Sequence, residues 1–272
     1  HEIVPSDSPK KVVIVGAGPA GLEAARVAAE RGHNVTVFEA ASEAGGQIRL
    51  TAQNKRRAEM IGIIDWRMAQ CAARDVQFRF NTYAEAQDVL GLAPDVVIIA
   101  TGGLPEVTVL EAGNELAVTG WDIIAGDAKP GENVLIFDDA GDHTGLMAAE
   151  VITAAGGHVE IMTRDRSFAP EVMGMNLVPY MRSLQEKDAV FTVGRTLKSL
   201  SRRGNRLLAQ IGTDYSRYVS DSEYDQVIVN QGTLPLDELY FSLKPQASNF
   251  GEIDHEVLIG GEGKLFPQRN PE

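Results

Sequence analysis

The sequence predicts an α/β fold made of two successive β-α-β halves, and three observations carry that prediction. A buried apolar run, Val12-Val13-Ile14-Val15, leads into Gly16-Ala17-Gly18-Pro19-Ala20-Gly21 and an alanine-rich helical stretch. A second apolar run, Asn133 to Phe137, leads into a polar loop and another helical stretch, Gly145 to Ala155. Each helix stops at glycine, Gly32 in the first half and Gly156-Gly157 in the second, and a further short apolar run follows each stop.

Taken in order, His1 to Lys10 carries Pro5, Ser6, Ser8 and Pro9 and reads as a linker, with a histidine start that reads as the continuation of preceding sequence. Lys11 to Ala40 is the first β-α-β unit. Gly16 permits the tight turn after the strand, Gly18 lets backbone approach a pyrophosphate, and Gly21 lets helix and strand pack closely. The helix, Leu22 to Arg31, points its N-terminal amides at the phosphates. The strand Asn34 to Phe38 ends at Glu39, 23 positions after Gly16. An acid there can bond both ribose hydroxyls and disfavours a 2′-phosphate, so the site suits FAD, NAD or ADP over NADP.

Ser42 to Gln47 forms a glycine turn, and Ile61, Ile64, Met68 and Cys71 lie at helical spacing in a helix from about Arg56 to Arg74. Val76 to Phe80 reads as a strand, and Asp95 to Thr101 as a buried one ending Ala100-Thr101-Gly102-Gly103. Around Leu104-Pro105 the chain leaves this unit, and the second β-α-β begins after Pro130-Gly131, with His158 to Thr163 as its second strand. Val190 to Tyr218 alternates apolar and polar residues with turns at Gly194, Gly204-Asn205 and Gly212-Thr213, the pattern of an antiparallel meander. Asp225 to Asn230 is another buried strand.

The two glycine loops are not equivalent. After the second strand stands Asp138-Asp139-Ala140-Gly141-Asp142-His143-Thr144-Gly145, two residues longer than the first loop, with three carboxylates among the positions that face phosphate in the first. A carboxylate about 4 Å from a phosphate charge costs on the order of 4 kcal/mol at an effective dielectric near 20, enough to weaken binding roughly a thousandfold. The second half is therefore expected to bind pyridine nucleotide poorly or not at all. Asp138, Asp139, Asp142 and His143 admit a metal or acid–base reading. The alternative is that Asp142 or Thr144 caps the helix while the other groups satisfy loop amides. Arg164 and Arg166, after the strand that corresponds to the one ending at Glu39, could pair with a 2′-phosphate, which keeps NADPH open.

Length and composition bound the rest. A chain of 272 residues suits two domains, and a net charge of −13 argues against nucleic acid and anionic membrane surfaces. No apolar run approaches a membrane span and no signal peptide is visible, which points to the cytoplasm. The single cysteine, Cys71, reads as a packed thiol. One cysteine can build neither a redox-active pair nor a four-thiolate iron–sulfur site. No nucleophile–base pair or metal-ligand cluster stands out as catalytic, and the five histidines are dispersed.

Over nearly its whole length the chain resembles the C-terminal half of flavoproteins of the NADH:flavin oxidoreductase group, which includes trimethylamine dehydrogenase, 2,4-dienoyl-CoA reductase, histamine dehydrogenase and N-methylproline demethylase-like enzymes. The likeness rests on Val15 to Ala25, on Gly45-Gly46-Gln47-Ile48-Arg49-Leu50, on Ala100-Thr101-Gly102-Gly103 and on Trp121-Asp122-Ile123-Ile124-Ala125-Gly126. The strand end Phe137-Asp138-Asp139 is most similar to the demethylase-type members.

The resemblance implies two Rossmann-like dinucleotide-binding lobes in a glutathione-reductase-like arrangement, the second inserted into the first. An FAD- or ADP-binding lobe would span 11–104 plus 232–272, and an NAD(P)H-like lobe 105–231. It implies that Gly16, Gly18, Pro19, Ala20 and Gly21 meet the pyrophosphate and Glu39 the ribose. Gly46, Gln47 and Leu50 line the nucleotide, Ala100, Thr101 and Gly102 pass near it, and backbone near Tyr83 faces adenine. FMN and a four-iron cluster (4Fe-4S) belong to an N-terminal barrel outside this chain, which would be its partner, with an electron-transfer flavoprotein as acceptor. The family's closing strand, Gly-Asp pair and final helix are not recognisable before Glu272, so the chain is expected to hold the ADP portion of a ligand, or none. Three roles stay open: part of an amine dehydrogenase or N-demethylase, inactive by itself; a non-catalytic ADP-binding module; and an NAD(P)H-dependent flavin reductase.

Overall fold

The computed structural model of the chain describes residues 3–248. These residues divide into two units, one formed by 3–104 with 235–248, the other by Pro105–Leu234.

The first unit contains β1 (Lys11–Val15), α1 (Pro19–Glu30), β2 (Asn34–Phe38), α2 (Gln47–Thr51), α3 (Gly62–Ala72), β3 (Gln77–Arg79), α4 (Ala86–Leu90) and β4 (Val96–Ile99). Its four strands run parallel in the order β3-β2-β1-β4. A strand central in a parallel sheet is covered on both faces, which is why β1 is an unbroken apolar run rather than an alternating one. Val12 and Ile14 pack with Leu22 and Ala25 of α1 and Ile64 and Cys71 of α3, whereas Val13 and Val15 pack with Phe38, Val89 and Leu243. Helix α1 starts earlier than expected from its apolar stripe, because Pro19 suits the first helical position, where a missing N–H costs nothing. The helix expected over 56–74 is shorter: a 3₁₀ turn, Ala58–Ile61, precedes α3. Cys71 is fully buried with its Sγ directed at the Leu22 carbonyl, and burial raises the thiol pKa, so it packs as a small apolar side chain.

The second unit is entered through β5 (Gly103–Pro105) and continues with β6 (Val118–Thr119), α5 (Gly120–Ala125), β7 (Asn133–Asp138), α6 (His143–Ala154), β8 (His158–Met162), α7 (Gly174–Gln185), β9 (Val190–Thr192), β10 (Thr196–Arg203), β11 (Arg206–Gly212), β12 (Ser220–Tyr224) and β13 (Gln226–Asn230). The chain leaves it through β14 (Thr233–Pro235), which pairs with β5, and α8 (Glu238–Leu243) follows. Five parallel strands lie in the order β6-β13-β7-β8-β9. Leu135, Phe137 and Met162 bury one face against Leu197, Leu207, Ile211 and Tyr224 of an antiparallel β10-β11-β12 sheet. Val134 and Ile136 point the other way, the side covered by α6, whose Leu146, Ala149 and Ile152 are fully buried.

One expectation is corrected here. Val190–Thr192 does not open the meander: it is the outer parallel strand, with Ile161 opposite Phe191. Gly194, at φ 65°, turns the chain out of that sheet, and the meander runs from Thr196 to Tyr224 instead of ending at Tyr218. The boundary moved because Val190-Phe191-Thr192 is too short to express a period, so its pairing with β8 decides its sheet.

Candidate functional site

The β1–α1 turn is built around backbone. Gly16 has φ 103°, and a Cβ there would stand 2.2 Å from the Ala100 carbonyl oxygen, so only glycine fits both the turn and the close passage of β4's end. A Cβ on Gly21 would stand 1.9 Å from the Gly16 carbonyl oxygen, which fixes the close packing of helix on turn. Gly18 differs: a Cβ there would meet nothing within 4 Å, and as the N-cap of α1 it offers no side chain to the helix's first amides. Free N–H groups at a helix start, with the positive end of the helix dipole behind them, are what an anion needs.

Around this turn the structure assembles several of the predicted residues. Glu39 at the end of β2 accepts from the Ala17 amide through Oε2 at 2.7 Å and from the Ala41 amide through Oε1 at 2.8 Å. Each oxygen keeps a further lone pair for a hydroxyl donor. Gly45 donates its N–H to the Ala17 carbonyl at 2.9 Å, and a Cβ on Gly46 would lie 3.4 Å from the Gly18 Cα, so the second glycine turn rests on the first. Pro19 and Ala20 open α1, and Gln47 and Leu50 lie on α2, which starts at that second turn. The Ala100 amide donates to the Val15 carbonyl at 2.7 Å. The Thr101 amide nitrogen would lie 3.2 Å from a Cβ on Gly16, so the strand end passes against the turn; Thr101 Oγ1 donates to the Leu236 carbonyl at 2.6 Å and the Gly102 carbonyl accepts from the Leu236 amide at 2.9 Å. The Thr82 amide donates to the Glu39 carbonyl at 2.9 Å, which sets the backbone before Tyr83 beside the acid, while the Tyr83 side chain is 71% exposed. Sequence reasoning passed over Ala17, the residue whose amide orients Glu39.

The corresponding turn of the second unit is filled by its own side chains. Asp142 is the N-cap of α6 and accepts from the Thr144 amide through Oδ1 at 2.8 Å. Asp138, 3% exposed, accepts from the Gly141 amide at 3.1 Å and from Asn230 Nδ2 at 2.8 Å, and the same Nδ2 donates to Asp142 Oδ1 at 3.0 Å. A Cβ on Gly145 would meet Asp138 Oδ2 at 2.6 Å, so the carboxyl occupies the space beside the helix start. Burial, then the nearby Asp142, pushes Asp138 up to about 7 against the partial opposition of its hydrogen bonds. Its obstruction near neutral pH is thus steric and hydrogen-bonding as well as electrostatic. Asp139 is raised by burial, offset by Arg164 at 2.7 Å. Where the first unit has Glu39, the second has Thr163, buried and accepting from the Asp165 amide at 3.1 Å. Asn230, which ties the loop shut, was not singled out from sequence, although its place at the carboxyl end of an apolar strand is where ligand contacts concentrate. Among the described residues no group of three or more His, Cys, Asp or Glu side chains is placed to hold a metal ion, and no helix is long and apolar enough to cross a membrane.

With this geometry in hand, the chain compares closely with known proteins. Residues 10–257 match the family described as Pyridine nucleotide-disulphide oxidoreductase. The chain is 63% identical over 262 residues to the "Probable N-methylproline demethylase" of Rhizobium meliloti (strain 1021), covering 96% of this chain and 39% of that protein. It is 43% identical over 266 residues to the N,N-dimethylglycine/sarcosine dehydrogenase of Chromohalobacter salexigens, covering 95% of this chain and 38% of that protein. Among solved structures, a 2-naphthoyl-CoA reductase complex superposes with a TM-score of 0.79 at 29% identity, over 89% of this chain and 36% of that one. The chain thus spans about two fifths of the length of these relatives.

Proposed function

The chain belongs to the pyridine nucleotide-disulphide oxidoreductase family, and from that membership we propose that it is the nucleotide-binding portion of a larger flavoprotein oxidoreductase acting on methylated amines. The first unit holds FAD or ADP; the second unit takes no dinucleotide. The observation that carries this reading is the contrast between two topologically matched turns. One presents a helix start with no side-chain cap, an open approach at Gly18 and a carboxylate positioned for ribose. The other closes its helix start with Asp142 and fills the adjoining space with Asp138.

In this assignment the α1 amides and Gly18 hold the pyrophosphate, Glu39 accepts from the ribose hydroxyls, and Gly46, Gln47 and Leu50 line one side of the nucleotide, with backbone before Tyr83 toward adenine. A bound FAD would supply hydride or single-electron transfer; bound ADP would be a fixed ligand that stabilises the unit by mass action. Amine oxidation belongs to the remainder of the parent protein, an N-terminal barrel with FMN and a four-iron cluster, passing electrons to an electron-transfer flavoprotein in the cytoplasm; this chain contributes no catalytic side chain of its own. The closed turn at Asp138 and Asp142 counts against an autonomous NAD(P)H-dependent flavin reductase. The test is to denature the purified chain and identify the released nucleotide by absorbance and mass. FAD or ADP at one equivalent per chain is expected; NAD(P) recovered in its place would defeat the assignment.

A further inference from the structure

Asn230, at the carboxyl end of β13, holds the 138–142 turn from two sides at once. Its main-chain carbonyl accepts from the Asp139 and Ala140 amides at 2.8 and 3.0 Å, while its side-chain Nδ2 donates to Asp138 Oδ1 at 2.8 Å and to Asp142 Oδ1 at 3.0 Å. One neutral amide therefore serves two carboxyl groups. Asp138 Oδ1 also takes the Gly141 amide, which leaves Oδ2 as the oxygen to carry a proton.

The loop after β8 closes over the same turn. The Glu171 amide donates to the Gly141 carbonyl at 3.1 Å, and a Cβ on Gly141 would stand 2.5 Å from Pro170 Cδ, so the loop lies directly on the glycine. Gly141 turns at φ 65°, and Ala169, 3% exposed, is held at φ 46°. That left-handed region is costly for alanine and persists only where the surroundings enforce it, so the loop stores strain that the closed turn helps to hold.

The charges around Asp138 set the sign of its response. Asp142 and Asp139 in its own turn both add to the effect of burial, the larger cause, and its pKa is pushed up to about 7. From the loop after β8, Arg164 is held by Asp139 at 2.7 Å, Asp165 acts with Asp214 on Asp139, Arg166 lies among Arg195, Tyr215 and Tyr218, and Glu171 adds a further carboxylate beyond Gly141. Helix α6 opens with His143, whose Nδ1 lies 3.3 Å from the Tyr180 hydroxyl of α7; Asp122 of α5 accepts from Thr119; β13 brings the neutral Asn230.

We propose that the 138–142 turn and the 169–172 loop form a single proton-operated latch, closed while Asp138 holds a proton on Oδ2 and opening together at the Gly141–Glu171 contact once that proton leaves. The ionised carboxyl shares one Asn230 amide with Asp142 away from water, and opening hydrates it. The closed form thus holds a proton that the open form, with an ordinary carboxylate, releases between about pH 4 and 7, so the opening constant climbs through that window and levels off above it. The opened start of α6 still carries Asp138, Asp139 and Asp142, so the inference leaves untouched the reading that the second unit takes no dinucleotide.

Hydrogen-exchange mass spectrometry on the intact chain at pH 5, 6, 7 and 8, corrected for the intrinsic pH dependence of amide exchange, tests it. Peptides covering 137–146 and 168–173 are expected to lose protection together, by about tenfold or more between pH 5 and 7, with little further loss at pH 8. Asp138→Asn is expected to keep both peptides at their pH 5 protection throughout. Asp142→Asn, which keeps an acceptor for the Thr144 amide, is expected to make the loss smaller and to level it off at lower pH. Protection that does not change with pH, that falls in one peptide without the other, or that falls equally in the native chain and both variants would overturn the latch. A fall of the same size in peptides of β7 and β8 would also overturn it, because the whole unit would then be unfolding.

Discussion

At the scale of single residues, the two turns make opposite predictions for similar changes. Gly18→Val adds atoms where a Cβ meets nothing, so the fold is expected to keep its melting temperature while affinity for ADP falls at least a hundredfold. Gly21→Ala drives a methyl into the Gly16 carbonyl oxygen and is expected to cost about 1–3 kcal/mol of stability. Thermal melts with and without ADP separate the two. Asp138 gives a pH signature. Its folded pKa, pushed up to about 7 by burial, exceeds the ordinary carboxylate value, so between about pH 4 and 7 the folded state holds a proton that the unfolded state has released. Stability from this group is fully present below that window and is lost as pH rises through it. Asp138→Asn keeps an acceptor for Gly141 and Asn230 and removes the ionisation. It is expected to flatten the fall and to gain on the order of 4 kcal/mol over the native chain at pH 8 and little at pH 4. A melt series showing parallel pH curves for the two proteins would refute this.

At the scale of elements, α6 depends on its cap. Asp142→Ala is expected to cost about 1 kcal/mol by freeing the Thr144 amide, and Asp142→Ser to restore most of that. Burial is the larger cause of the raised Asp138 pKa and the Asp142 charge the second, so both changes should move the pH transition assigned to Asp138 part of the way to lower pH, a shift that a purely structural cap would not produce. Denaturant titrations at several pH values read both effects. The same region shows what the sequence could and could not convey. The α/β class, the parallel strands and the inequality of the two turns were legible, because an unbroken apolar strand and a glycine turn are local patterns. The closing of the second turn was not: Asn230 lies 92 positions from Asp138, and only tertiary structure brings its amide between two carboxylates. The three-residue β9 was misassigned for a related reason, since Val190-Phe191-Thr192 has too few residues to express a period and its partner β8 decides its sheet. The orientation of Glu39 by the Ala17 amide was equally hidden, because a backbone donor leaves no residue-type signal.

At the scale of the whole molecule, both chain crossings are held at their roots within each unit. In the first unit, Leu236 exchanges hydrogen bonds with Thr101 and Gly102 at 2.6 and 2.9 Å; in the second, the Glu106 amide donates to the Gly232 carbonyl at 3.0 Å. Each unit has its own sheet and its own buried core, so neither needs the other to close its apolar faces. Residues 105–234 expressed alone are therefore expected to melt cooperatively and to show none of the ADP binding assigned to the first unit's glycine turn. The complementary chain, with 105–234 replaced by a short Gly-Ser bridge, is expected to hold ADP with a Kd within about threefold of the intact chain. The bridge joins ends that adjoin the hydrogen-bonded pair Gly102 and Leu236, and loop-closure entropy changes only by about 0.6 kcal/mol per doubling of length. Calorimetry on the two pieces decides it. If the bridged chain folds but loses ADP tenfold or more, the second unit completes the nucleotide site, and the assignment of all its contacts to Gly16–Gly21, Glu39 and Gly46–Leu50 would have to be given up.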